Sequence, residues 1–396
     1  MRDRLLNRQG RYLDLDFVLP DRAIEVAQAI ARKYKAGFVV LDAERKIARV
    51  VFANATADFA QQMGRTIRED LGRRDFCMNA IAIECHQLLE IEGLGIGDWG
   101  LGIGKQVVEL LIDPFDGFGD LQSQQIRMVA PENLAEDPLR ILRGYRQAAQ
   151  LGFAIEDLTR QVAIKFAPRL KAIAAERIRT ELGYLLHSSN GSYWMMAAVE
   201  DQILADWLPR QHLNIARFRQ IESVITMLLK EYPDLELFFS KHLAADRYAL
   251  VIIKLAALTN SANALESLGL SRAEQRWLLG TLRYLPQFID LSEQATLTEQ
   301  YKFFQATLEF FPAIATLALA AGLELPKVAP WLERWLNPHD AIAYPVALLT
   351  GDDLRYELGI APSPKLGELL ETVKLAQVEG QVKTRAAAIA LVKTLM

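Results

Sequence analysis

Two aspartates one residue apart, Asp14 and Asp16, lie in the stretch Gly10–Pro20, GRYLDLDFVLP. Leu13, Leu15 and Phe17 alternate with them, so a β-strand here turns the apolar set to one face and both acids to the other. Adjacent carboxylates repel unless a cation lies between them; the plain alternative is a solvent-facing strand edge. Mg²⁺ takes octahedral oxygen ligands, commonly one or two protein carboxylates completed by substrate phosphates. A pair of such ions can activate an attacking hydroxyl and stabilise the leaving oxygen in phosphoryl or nucleotidyl transfer. Asp58, in ATADFAQ after the strand-like run VVFANA, is the candidate third acid, with a strand cap as its alternative.

Two further groups carry chemistry. In REDLGRRDFCMNAIAI (Arg68–Ile83), Arg73 and Arg74 offer charged forks for phosphate oxygens. Asp75 and Asn79 are spaced i, i+4, so a helix would put them on one face, fit to grip a ribose or simply to cap and pair. In AEDPLRILRGYRQAAQLGF (Ala135–Phe153), Glu136, Asp137, Arg140 and Arg143 recur at helical spacing. An ordinary i, i+3 ion pair is one reading. The other is recognition: a carboxylate only accepts and a guanidinium only donates. Together they match the amino-beside-ring-nitrogen edge of cytosine and adenine and mispair with uracil and guanine. Each such contact discriminates by roughly 1–3 kcal/mol.

These residues need elements to hold them. Gly37–Ala60 is rich in Val, Ile and Phe with polar breaks and reads as two or three strands; Asp113–Val129 has Pro and Gly punctuation and then a short strand. From Glu132 onward apolar residues recur at helical spacing with few strand-like runs. The Pro-marked sites at Pro209, Pro233, Pro286 and Pro338 are expected to break this region into bundles, and Leu348–Val392 to form two or three short helices. Tyr248–Leu258 and Pro312–Gly322 read as buried helices. The 396 residues suggest two to four domains. A net charge of −4 argues against a wholly cationic nucleic-acid glove, so any basic patch must be local. The two cysteines, Cys77 and Cys85, build neither a disulfide framework nor a thiolate zinc site and suit a reducing compartment. MRDRLLNRQGR has no apolar signal core. A soluble, cytoplasmic protein without membrane association is expected.

Taken in order, the motifs resemble those of the class II tRNA nucleotidyltransferase and bacterial poly(A) polymerase family. RRDFCMNAIAI resembles its R-R-D-F-T-x-N-A motif, with Cys77 at the usual Thr, and EDPLR its nucleotide-selecting E-D-x-x-R motif. DPFDGFGDL resembles the linker before the selecting helix, AAERIRTEL the next helical motif, and TGDDLRYELGIAPSPKLGELL the RNA-gripping tail. The resemblance implies an α+β protein. Residues 1–125 would form a polymerase-beta-like head, 126–185 a helical neck with the base-selecting motif, 186–340 a helical body and 341–396 a tRNA-binding tail. It also implies extension of the 3′ end of tRNA from CTP and ATP, with Mg²⁺, by C and C, with the final A left open at this point. Asp14 and Asp16 would hold the metal, with Asp58 the third catalytic acid. Arg2, Arg74, Asp75 and Asn79 would hold triphosphate and ribose. Glu136, Asp137 and Arg140 would read the base, and Arg143, Arg146, Arg177 and Arg179 would meet RNA.

Three departures from the family shape these expectations. The chain starts at Met1-Arg2-Asp3, inside the family's Gly-Gly-x-Val-Arg-Asp loop, so an N-terminally incomplete head is expected. Only QQMGRTIREDLG separates the Asp58 strand from Arg73, a short segment resembling the CC-adding subgroup. Thr259 and Asn260 stand where some relatives carry a His-Asp metal-phosphohydrolase pair, and His339-Asp340 has no second His cluster beside it in sequence. Between Asp137 and Glu181, nine Lys/Arg against five Asp/Glu form a local positive excess, the kind a phosphate backbone rewards. A poly(A) polymerase and a catalytically impaired RNA-binding relative are the alternatives.

Overall fold

The computed structural model describes residues 1–8, 13–87, 108–244, 247–359, 361 and 363–396. Gly10–Tyr12 of the opening stretch lie outside these. The protein is α+β, and the chain divides into two compact units, Met1–Glu181 with Tyr193–Leu204, and Leu182–Ser192 with Ala205–Met396.

The first unit opens on a helical turn, Arg2–Leu5, and a four-stranded sheet. Its strands are β1 (Leu13–Leu19), β2 (Gly37–Asp42), β3 (Ile47–Val51) and β4 (Ala55–Gln61), in the order β1-β4-β3-β2. β1 runs parallel to β4, and the other pairs are antiparallel. Helix α1 (Ala23–Tyr34) is the crossover between β1 and β2. Its small residues at a four-residue spacing, Ala23, Ala27 and Ala31, are buried against Ala48, Val50, Ala57 and Phe59, with Leu15, Phe17 and Leu19 packed alongside. Phe17 and Phe59 stack at 5.1 Å. Two-residue alternation therefore commits one sheet face to this core and leaves the other for Asp14 and Asp16. Asp58 lies inside β4 rather than after a strand, because the turn at Phe52–Asn54 divides VVFANA from ATADFAQ.

Beyond the sheet come α2 (Ile67–Leu71), α3 (Gly117–Gln122), α4 (Pro131–Glu136) and α5 (Leu139–Leu151). Two sequence expectations are corrected here. Arg73–Asn79 is a turn ending in a short 3-10 helix at Cys77–Asn79, not a helix. Glu136, Asp137, Arg140 and Arg143 do not share one helix: α4 ends at Glu136, Asp137 is extended, and α5 starts after Pro138. A proline disfavours helical backbone at the residue before it and brings no N–H of its own. The expected short strand after the Gly-rich segment is Gln125–Ile126, paired with Ala154–Ile155. α6 (Asp157–Phe166) and α7 (Ala175–His187) follow.

The second unit is almost wholly helical. α8 (Ile215–Glu231), α9 (Ala249–Leu258), α10 (Arg272–Leu291) and α11 (Phe311–Ala320) build its core, and every residue of α11 is buried. Arg217 donates to the carbonyls of Ala256, Ala257 and Thr259, satisfying acceptors at the end of α9 that no helical N–H reaches. Pro286 does not break α10 as expected; the helix runs through it with Leu285 and Phe288 buried on either side. Tertiary packing there outweighs one lost backbone bond. The closing segment forms α12 (Gly351–Leu358), α13 (Pro364–Val378) and α14 (Arg385–Leu395) around a core of Leu354, Leu369, Val373, Ala388 and Val392. Among the described residues no single helix is long and apolar enough to cross a membrane.

Candidate active site

The free sheet face carries the acids. Parallel register sets Asp14 beside Thr56 and Asp16 beside Asp58, and antiparallel register sets Arg49 beside Asp58. Thr56 Oγ1 donates to Asp14 Oδ1 at 2.5 Å, fixing one oxygen of that carboxylate. Asp58 is taken by Arg49 in a two-pronged pair, Nε to Oδ1 at 2.6 Å and Nη2 to Oδ2 at 2.8 Å. Arg49 holds its proton more tightly than usual, first because of that hydrogen bond. The carboxyl of Asp16 is raised above the ordinary aspartate range, first by the protein crowding around it and then by Asp14, while Arg74 pulls the other way. A divalent cation would relieve that repulsion, so Asp14 and Asp16 fit a metal that draws its remaining oxygens from phosphate and water. Among the described residues no three His, Cys, Asp or Glu side chains converge on one ion position. His339 and Asp340 gather nothing further: Asp340 pairs with Arg334 at 2.9 Å.

The Arg73–Asn79 turn is pinned from two sides. Asn133, on α4, donates to the carbonyls of Gly72 and Arg74, both at 2.8 Å. From α5, Arg143 Nε reaches Asp75 Oδ2 at 2.9 Å, while Asp75 Oδ1 accepts from the Phe76 N–H and from Asn79 Nδ2, each at 2.9 Å. Burial alone would push Asp75 up, but Arg143, Asn79 and the Phe76 amide outweigh it and hold its carboxyl below the usual range. Asn79 Nδ2 also donates to the buried Gln147 at 3.0 Å, and Asn79 Oδ1 accepts from Arg2 at 2.9 Å. The i, i+4 contact expected of a helix is thus made by a 3-10 turn. Cys77, at the usual Thr position, is buried, donates to the Met128 carbonyl at 3.4 Å and is pushed up to about 12 by burial, so it is an inert packing group. Glycine is required nearby: a Cβ on Gly117 would lie 2.1 Å from the Cys77 carbonyl oxygen.

The remaining expected residues divide. Arg74 stands 3.6 Å from Asp70, Arg73 stands 3.5 Å from Glu136, and Arg140 donates to the Asn133 carbonyl at 3.2 Å. Asp137 does not pair with Arg140; it faces Arg177 at 3.3 Å, because the break at Pro138 separates their side chains. Arg146 is drawn inward to Glu181 at 2.5 Å, and Arg160 to Asp201. With Arg143 and Arg177, at least four of the nine cations between Asp137 and Glu181 already have carboxylate partners. Asp137 and Glu181 are already among the five acids of that stretch, so only Asp75 and Asp201 draw on its excess, and they match two of the four surplus positive charges. Arg179 lies on α7 with Arg177. Thr56, Arg49, Asn133 and Gln147 escaped sequence reasoning. Thr56 and Arg49 had a signal in strand alternation, whereas Asn133 and Gln147 act only through contacts distant in sequence.

Comparison with known proteins bears on the whole chain. Residues 1–127 match the family model described as the Poly A polymerase head domain. Residues 152–214 match an RNA and SrmB-binding site of polymerase A, and residues 242–392 a tRNA nucleotidyltransferase domain 2. The CC-adding tRNA nucleotidyltransferase of Synechocystis is 40% identical over 410 residues, covering 100% of this chain and 92% of that protein. The CC-adding tRNA nucleotidyltransferase of Geobacter sulfurreducens is 32% identical over 98% of this chain and 88% of its own length. In fold, the Thermotoga maritima CCA-adding enzyme complexed with tRNA is similar with a TM-score of 0.71 at 21% identity, covering 100% of this chain and 89% of that one. Divalent-metal dependence is general among such nucleotidyltransferases. With a head that matches the Poly A polymerase head model, a D-x-D pair on the sheet face away from its core and relatives at 40% and 32% identity that align along nearly the whole chain, this chain belongs to the family of CC-adding and CCA-adding tRNA nucleotidyltransferases.

Proposed function

We propose that this enzyme adds two cytidines from CTP to the 3′ end of tRNA, choosing the nucleotide with protein side chains instead of a template. The observation that carries the reading is the placement of Asp14 and Asp16 together on the sheet face turned away from the α1 core, with Asp16 within electrostatic reach of Arg74 of the turn that α4 and α5 pin down. Restriction to CC is supported by two CC-adding relatives that align along nearly the whole chain and by the short segment Gln61–Gly72, most of which is tied up by α2 and by Asp70, which accepts from the Met63 N–H. A poly(A) polymerase is not favoured, since full-length relatives carry the CC- and CCA-adding names.

In this reading Asp14 and Asp16 hold Mg²⁺, which when bound supplies the charge that neutralises the triphosphate and favours attack by the tRNA 3′ hydroxyl. Arg74 steadies the triphosphate. Asp75 acts at one remove: buried and paired, it fixes Arg143 and Asn79 so that Asn79 and Arg2 present a set edge to the ribose. Asp137 and Arg140 meet the base, with Glu136 beside them, and Arg177 and Arg179 contact RNA. Such an enzyme works in the cytoplasm, where tRNA is its partner. The test is incubation with tRNA lacking its CCA end, Mg²⁺ and single labelled nucleotides. Two stepwise C additions with no A after them are expected; A added after CC would make it a CCA-adding enzyme, and long A tails from ATP alone would overturn the reading.

A further inference from the structure

Of the three aspartates on the sheet face, only Asp58 is neutralised by the protein itself. Both of its oxygens are engaged by Arg49 at 2.6 and 2.8 Å, and the two residues sit directly opposite each other on β4 and β3. That fork ties Asp58 to β3, which lies on the opposite side of β4 from β1 and its two acids. The Asp58 side chain is 18% exposed, so the pair is partly shielded, and a charge-assisted fork in that setting resists opening. No three acids converge on an ion among the described residues. We propose that Arg49 is a positioning residue that withholds Asp58 from the metal site, so that the resting head offers an ion two carboxylates instead of three.

The inference rests on the reading of Asp14 and Asp16 as the ion's carboxylates. Its consequence is that divalent-metal affinity before nucleotide arrives is held low by Arg49, leaving coordination positions for phosphate and water. Recruiting Asp58 would abandon Arg49 beside the ion. Replacing Arg49 by a neutral residue of similar length should release Asp58 as an added ligand.

The experiment measures Mn²⁺ binding to the full chain without nucleotide, by electron paramagnetic resonance of free Mn²⁺, with proton relaxivity to count waters on the bound ion. Arg49→Met is expected to bind Mn²⁺ roughly tenfold more tightly, with one fewer bound water. The water count separates ligation from a mere change in charge. The double variant Arg49→Met, Asp58→Asn keeps the charge balance and should return to wild-type affinity and hydration. A double variant about tenfold weaker than wild type would show Asp58 already ligating and overturn the proposal. So would an Arg49→Met protein with unchanged affinity or unchanged hydration, given a circular dichroism melt that shows the fold retained. Asp14→Asn serves as the separate check. If it binds Mn²⁺ like wild type, the metal-face reading itself fails, whatever the Arg49 variants do.

Discussion

Asp75→Asn isolates one buried charge at the junction of the turn and α5. The amide keeps the shape and can keep Oδ1 against the Phe76 N–H and Asn79, but it sets an N–H against the Arg143 Nε–H. One charge-assisted bond, worth about 1.5–3 kcal/mol, is lost and a donor faces a donor. The Arg143 side chain is 39% exposed and can rehydrate, which places the loss near the lower end, about 2 kcal/mol. For a unit of about 150–250 residues that corresponds to a fall in Tm of roughly 4–8 °C. The pH sign follows from the depressed carboxyl. Stability from Asp75 is fully present above the ordinary aspartate value of 3.8 and is lost as pH falls through the lower folded value. Urea melts of wild type and Asp75→Asn should therefore differ by a constant amount from neutrality to about pH 4 and converge only below it. A cycle with Arg143→Leu should return a coupling of about 1–2 kcal/mol. A loss under about 0.5 kcal/mol at pH 7, or a gap that closes well above pH 4, would refute the pairing argument.

Other outcomes follow from the same geometry. Asp14→Ala should abolish nucleotide addition while tRNA binding stays nearly intact in a filter assay; normal turnover would remove Asp14 from the metal site. Arg140→Ala should relax the preference for CTP over UTP in kcat/KM by roughly 5–150-fold, the equivalent of 1–3 kcal/mol, and unchanged discrimination would count against its base-reading role. Gly117→Ala forces a methyl to 2.1 Å from a backbone oxygen and should destabilise by about 1–3 kcal/mol or more in a thermal melt. Gly144→Ala, whose methyl would meet only the tip of the Phe76 ring at 2.9 Å, should be milder. Equal melting temperatures for the two would contradict the contact assignment.

The α+β class came with the family resemblance; the amino-acid sequence by itself determined the D-x-D strand and its faces, two or three strands within Gly37–Ala60 and the long helical remainder. Each of these follows from two-residue or helical periodicity, a local property of the chain. Periodicity cannot report a partner from another element. It placed Asp137 and Arg140 on one helix, whereas Pro138 breaks that helix and tertiary contact hands Asp137 to Arg177. It counted Arg146 and Arg160 toward a cationic stripe, though Glu181 and Asp201 claim them. It expected a break at Pro286, where packing carries α10 through. Strand pairing alone settled that Asp58 neighbours Asp16 and answers to Arg49. Where a side chain's charge is spent depends on which distant group folding brings within about 3 Å, and that is decided by the packing of whole elements.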